Sequence, residues 1–121
     1  MGKSNDPRHL RRKKIVQNLF AASLNEAHIL ASEVKEIVAS FDKLDPIIEK
    51  SAPEWPIDKL NHVDLAILRL AVYELTVDRG VPEKVIVDEA VELAKELGSE
   101  SSPAFVNGVL GSILENNATK N

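Results

Sequence analysis

The 121-residue chain contains no cysteine. This excludes disulfides, thiolate nucleophiles and cysteine-ligated zinc or iron–sulfur sites, and leaves the fold to rest on packing. Aromatic residues are scarce, at 4%, with a single tryptophan and a single tyrosine, so stacking on nucleic-acid bases would depend on arginine or on a partner. No stretch approaches the ~18 uninterrupted apolar residues of a membrane-spanning helix. The basic N-terminus also lacks the apolar run and small-residue cleavage site of a secretory signal. The expectation is a cytoplasmic protein with no membrane association. A glycine-rich phosphate loop, an HExxH pair and a nucleophile elbow are all missing. His9, His28 and His62 are scattered, without the spacing of metal ligands. Acid pairs such as Asp88-Glu89 and Glu92-Glu96 have the spacing of a solvated helix face, which gives no reason to expect the burial that general acid–base work requires. Neither an enzyme nor a cofactor is expected.

What is present suits one small domain, with 44% hydrophobic residues to fill a core. The net charge of −4 is unevenly divided. Residues 1–14 carry six basic residues against one acidic, a local charge of +5, whereas residues 15–121 carry −9. A basic end on an acidic body is either a solvated tail or an arm that meets phosphate.

Apolar spacing is helical almost throughout, so the expected fold is all-α. Asp6 and Pro7 can open a first helix. In it Ile15, Val16, Leu19, Phe20, Ser23 and Ala27 share one arc, opposite Lys14, Gln17, Asn18 and Ala21. Upstream of Ile15, Arg11, Arg12, Lys13 and Lys14 point in all directions, so this part is expected to project beyond the core as a basic arm. Leu30, Val34, Ile37, Val38, Phe41, Leu44 and Ile48 form a second stripe, which Asp45-Pro46 either kinks or restarts. The stretch Ser51-Ala-Pro-Glu-Trp-Pro56 separates two helical parts. Trp55 there is read either as a base-stacking platform or, preferentially, as a plug between packed helices.

Asn61 or Asp64 can cap a helix ending near Asp78, apolar on nearly every side. Its polar residues need explaining: Arg69 and Tyr73 call for an internal polar contact, and Glu74 for a partner or a solvent opening. Two more helices are expected, Pro82 to Leu97 closed by Gly98, and Pro103 to about Glu115 opened by Ser101 or Ser102. Helical spacing continues through Asn107-Gly108, so Gly108 is read as a point of close helix approach. The resulting organisation is a single domain with a basic arm at 1–14, helical parts at 15–52 and 53–115, and a frayed tail at 116–121.

Three segments of the second half occur in a telling order. These are Asp64-Leu-Ala-Ile-Leu-Arg-Leu-Ala-Val-Tyr-Glu-Leu75, Val81-Pro-Glu-Lys-Val-Ile-Val-Asp-Glu-Ala-Val-Glu-Leu-Ala-Lys95 and Phe105-Val-Asn-Gly-Val-Leu110. Together with Arg11-Arg-Lys-Lys-Ile-Val-Gln-Asn-Leu-Phe20, they make the chain resemble the NusB family from about Arg8 to Ile113. The resemblance implies a compact helical bundle of two packed subdomains. It also implies an RNA-binding factor of transcription antitermination that pairs with NusE, a ribosomal protein of the small subunit. The pair would bind single-stranded boxA-like leader RNA, notably of ribosomal RNA operons, and assemble with the transcription elongation complex. By position, Arg8, Arg11, Arg12, Lys13, Lys14 and Gln17 would face RNA, and Phe20 and Glu74 would lie at or near the partner. Core packing for Phe20 and a solvated position for Glu74 are the plain alternatives. Two features depart from the family pattern: the stretch before Asp45-Pro46 is shorter by roughly one helix, and Gly111 stands where an acidic residue is common. Two other classes of function remain open. One is an accessory module like the domains fused to ribosomal RNA cytosine methyltransferases, and the other is a self-associating structural helical domain.

Overall fold

A computed structural model of the chain describes residues 6–25 and 30–120, with side chains as far as Asn116; Lys3, Ala27 and His28 lie outside the described residues. Among those residues the fold is all-helical: α1 (Pro7–Leu24), α2 (Ser32–Ala39), α3 (Phe41–Ser51), α4 (His62–Thr76), α5 (Glu83–Leu97) and α6 (Ser102–Lys120), with a short 3₁₀ turn at Ile57–Lys59. Asp6 caps α1 by accepting a hydrogen bond from the Arg8 amide at 2.8 Å, and Pro7 occupies the first turn. Of the two candidate caps for α4, Asn61 is the one used, accepting from the amides of Val63 and Asp64.

The core forms around α4, as its near-continuous apolarity requires. Leu65, Ala66, Ile67, Leu68, Leu70, Ala71 and Val72 are all buried, and α4 touches each of the other five helices. Ile15, Val16 and Leu19 approach it from α1, Leu44 and Ile48 from α3, Leu93 from α5, and Leu110 and Ile113 from α6. Each such side chain, fully buried, contributes about 1.5–3 kcal/mol. The two expected helical parts therefore share one hydrophobic cluster along α4. Arg69 and Tyr73 make the internal contacts expected of them. The Arg69 guanidinium pairs with both oxygens of Asp45 at 2.9 and 2.8 Å and lies 3.7 Å from the centre of the Phe41 ring. Tyr73 donates to Glu36 at 3.4 Å.

Several local expectations are corrected. The helix break falls at Ser40, and Pro46 sits inside α3. Asp45 does not cap a restart there, because its carboxylate is committed to Arg69. Trp55 does not plug a seam, since it is 51% exposed. No neighbouring helix approaches Gly108, where an added Cβ would meet nothing within 4 Å; the same holds at Gly111. Helix α6 continues past Glu115 to Lys120, because its Asn-Asn-Ala-Thr-Lys ending contains neither glycine nor proline to stop it. The close approach occurs instead at Gly98, the cap of α5, where a Cβ would lie 2.6 Å from Ser102 Cβ and 2.9 Å from the Ala94 carbonyl oxygen.

These glycines should respond oppositely to alanine. Gly108→Ala is expected to raise stability by about 0.5–1 kcal/mol through helix propensity. Gly98→Ala is expected to lower it by roughly 1–3 kcal/mol through overpacking. Urea denaturation of the two variants checks this, and a stabilising Gly98→Ala would contradict the close-packed α5–α6 corner.

Candidate nucleic-acid interface

Helix α1 carries its charges on two faces that differ in kind. His9 and Arg12 continue the inward line of Ile15, Val16 and Leu19, and they are buried, at 1% and 6% exposure. The expectation that residues before Ile15 project beyond the core is therefore corrected. The apolar stripe ends at Ile15, but the packed face continues upstream as polar groups that α4 and α5 neutralise.

Arg12 donates from Nε and Nη2 to the two oxygens of Glu74 on α4, each at 2.9 Å. Its Nη1 lies 3.6 Å from Glu89 of α5. Planar guanidinium against carboxylate is the strong bidentate geometry, and the Glu74 hydrogen bonds hold Arg12 more firmly charged than usual although burial opposes them. His9 Nδ1 lies 3.0 Å from the same Glu89 oxygen, and its Nε2 meets Glu96. Burial alone would push the imidazole pKa down, but hydrogen bonds to Glu96 and Glu89 outweigh it and raise the pKa above its ordinary value of 6.5. Glu74 and Glu89 are buried as well. Five ionisable groups from three helices thus form one seam.

The seam accounts for two residues that sequence reasoning placed elsewhere. Arg12 was expected to face RNA and Glu74 to meet a partner protein, yet each is the other's main contact. The solvated face expected for Glu89 and Glu96 is corrected, since Glu89 is buried and Glu96 pairs with His9, and sequence reasoning gave His9 no role. The available signal was Glu89 itself, which shares α5's inward line with Ile86, Ala90 and Leu93. An acid on a core-facing line needs a cation opposite it.

The rest of the expected set lies outside the seam. Lys14 and Gln17 are exposed, along with Leu10. Arg8 is exposed and pairs with its own cap, Asp6. Arg11 pairs with Glu33 of α2 at 2.8 Å, and Lys13 lies 3.7 Å from Glu96 of α5. Phe20 is half-buried on the Lys13 flank. Beside Arg11, between α1, α2 and α4, opens a cavity of about 320 Å³ lined in part by Glu33, Glu36, Tyr73 and Glu74. Among the described residues, no group of three His, Asp or Glu side chains is placed to hold a metal ion, and no helix is long and apolar enough to cross a membrane.

Two outcomes follow from the seam. Arg12→Ala strands two buried carboxylates and should cost about 3–5 kcal/mol. Deleting residues 1–14 should likewise destabilise the fold rather than only removing charge, and an unchanged denaturation midpoint in either variant would refute the seam's structural role. The His9 contribution depends on pH. Because the folded-state pKa is raised, the stabilisation is fully present below about pH 6.5 and is lost as pH rises through the folded-state value. Wild type minus His9→Gln stability, measured across this window, should shrink as pH increases.

The comparisons with known proteins agree with this architecture. A model of the NusB family matches residues 4–115. The transcription antitermination protein NusB of Clostridium botulinum is 35% identical over 130 residues, covering 89% of this chain and 98% of that protein. The NusB of Alkaliphilus oremlandii is 36% identical, covering 85% and 76%. Against the NusB of Chloroflexus aggregans identity reaches 52%, but the match spans 59% of this chain and about half, 49%, of the relative. T. maritima NusB superposes with a TM-score of 0.79 at 29% identity, over 90% of this chain and 91% of that one. A chain in a crystal structure of antitermination factors NusB and NusE in complex with dsRNA superposes with a TM-score of 0.74 at 26% identity, covering 90% and 96%. With the family match covering most of the sequence and whole-chain superposition on T. maritima NusB, the chain belongs to the NusB family.

Proposed function

We propose that this protein is an RNA-binding transcription antitermination factor that acts in the cytoplasm by binding, without an enzymatic step. It pairs with a NusE-type ribosomal protein on single-stranded boxA-like leader RNA, notably of ribosomal RNA operons, and the assembly joins the transcription elongation complex. The observation that carries this reading is the basic first half of α1, where Arg8, Arg11, Lys13, Lys14 and Gln17 lie outside the buried seam on an otherwise acidic molecule. Support comes from family membership and from the relative crystallised with NusE and dsRNA.

Arginine and lysine on this face neutralise phosphates, while Gln17 offers an amide to an unpaired base edge. Arg12 serves the RNA site indirectly, by fixing the rotation of α1 through Glu74. The partner face centres on half-buried Phe20, and Glu74 acts on it through Arg12, by fixing the rotation of α1.

RNA binding should weaken with salt. If about three phosphates are neutralised, the log–log slope is roughly −2. Arg8→Ala with Lys14→Ala should flatten that slope by about 1 and leave the thermal midpoint unchanged, since neither side chain is buried. Phe20→Ser should weaken binding of the NusE-type protein more than binding of RNA by the isolated chain. Fluorescence anisotropy with boxA-like RNA, with and without the partner, decides the matter. Salt-independent binding, or full affinity in the double variant, would remove the α1 face from the RNA site.

A further inference from the structure

Glu96 on α5 has two basic neighbours on α1, one turn apart in that helix. Its Oε2 meets His9 Nε2, and its Oε1 lies 3.7 Å from Lys13 Nζ. The two neighbours differ in exposure: His9 is buried, whereas the Lys13 side chain is 34% exposed. One carboxylate therefore links an interior titratable group to a cation of the α1 RNA site.

The surroundings of His9 suit the protonated ring. Its Nδ1 lies 3.0 Å from Glu89 Oε1, so each ring nitrogen faces a carboxylate oxygen. A neutral imidazole has a single N–H and would set the lone pair of its other nitrogen against the second carboxylate; only the imidazolium donates to both. The other charges nearby are arranged in pairs. On α1, Arg12 meets Glu89 and also Glu74 of α4, and Arg8 meets Asp6. On α5, Glu92 pairs with Lys95. Burial opposes the charge on His9, but the hydrogen bonds to Glu96 and Glu89 leave its pKa above the ordinary value. Lys13, a like charge on the same carboxylate, works against that protonation.

We propose that His9 is a positioning residue for the RNA site on α1, acting through Glu96 on Lys13, so that RNA binding is coupled to uptake of a proton by His9. This inference rests on the RNA reading of α1. When His9 is charged it holds Glu96, and Lys13 is free to meet phosphate. When His9 is neutral, Lys13 is the remaining cation on Glu96, and a phosphate must compete with that carboxylate for it. By linkage, a phosphate that draws Lys13 away leaves Glu96 to His9 and favours the imidazolium, whose proton comes from solvent. RNA affinity is therefore fully present below the titration of His9 in the free protein, and it declines as pH rises through the higher titration in the complex. Because the free-protein value is itself raised above 6.5, the decline begins above pH 6.5.

The full chain is titrated with boxA-like single-stranded RNA at fixed ionic strength, from about pH 6 to about pH 9, a range that spans histidine titration. Affinity should fall about two- to fivefold across it, the scale of one exposed ion pair. Lys13→Ala should bind RNA more weakly at every pH and lose most of that slope. His28, His62 and the α-amino group also titrate in this range. The variant retains all three, so a slope that survives in it undiminished belongs to them and overturns the proposal. A second measurement needs no RNA. In the free protein, the NMR titration midpoint of the His9 ring should rise in Lys13→Ala, which removes the competing cation, and fall in Glu96→Gln. A midpoint unmoved by Lys13→Ala overturns the coupling. RNA binding that is present but flat with pH would strike this inference and leave the α1 reading intact, whereas no RNA binding at any pH would remove both.

Discussion

A carboxylate buried without a counter-charge is among the least tolerable groups in a folded protein, and of the three carboxylates buried among the described residues, Glu74 and Glu89 sit on the inner faces of neighbouring helices. Arg12, with its Nε and Nη2 on Glu74 and its Nη1 near Glu89, answers both at once. Because that geometry is directional, it fixes the rotation of α1 as well as its position. A turn of one residue about the helix axis would carry Arg12 about 100° away from both acids. His9, one turn earlier, repeats the constraint against Glu89 and Glu96. The placement of Lys14 and Gln17 on the outside follows from Arg12 being inside.

Helix α4 makes this arrangement possible, because it is apolar enough to sit at the centre of every packing interface and polar only where a neighbour supplies the complement. Arg69 meets Asp45 across the α3 interface and Glu74 meets Arg12 across the α1 interface. Asp64 at the opposite end meets Ser102 of α6 with one side of its carboxyl group and leaves an oxygen unpaired. These contacts hold the neighbouring helices against α4.

The helices and their core faces were legible because apolar spacing reports burial directly, and α4 was recognisable as central from its circumference alone. What escaped was burial carried by charge. Arg12 stands among Arg11, Lys13 and Lys14, and nothing local distinguishes the one that turns inward; the distinguishing residues, Glu74 and Glu89, lie more than sixty positions downstream. Trp55 misled for the converse reason, since size and hydrophobicity favour burial, yet the loop between its two flanking prolines holds the ring outward. Gly108 and Gly98 were confused because glycine reports either open space or close approach, and only the neighbouring backbone tells which. Among the candidate site residues, the basic character of the N-terminus was readable, but the division between buried and exposed cations was not.

That division changes what a charge count means for RNA. The formal +5 of residues 1–14 overstates the charge that phosphate can meet, since Arg12 cannot leave its acids without stranding them in the interior at a cost of several kcal/mol. Arg11 and Lys13 are also paired, but their partners Glu33 and Glu96 are partly exposed. Such surface pairs are worth about 0–1 kcal/mol, so a phosphate can replace a carboxylate there with little penalty, because the released acid remains hydrated. Glu33 is thus a removable placeholder that keeps Arg11 oriented, and Glu96 can release Lys13 while staying with His9, whereas Glu74 and Glu89 are permanent anchors. Solvent access to the acid, more than the presence of a salt bridge, determines which basic residues can exchange their partner for RNA.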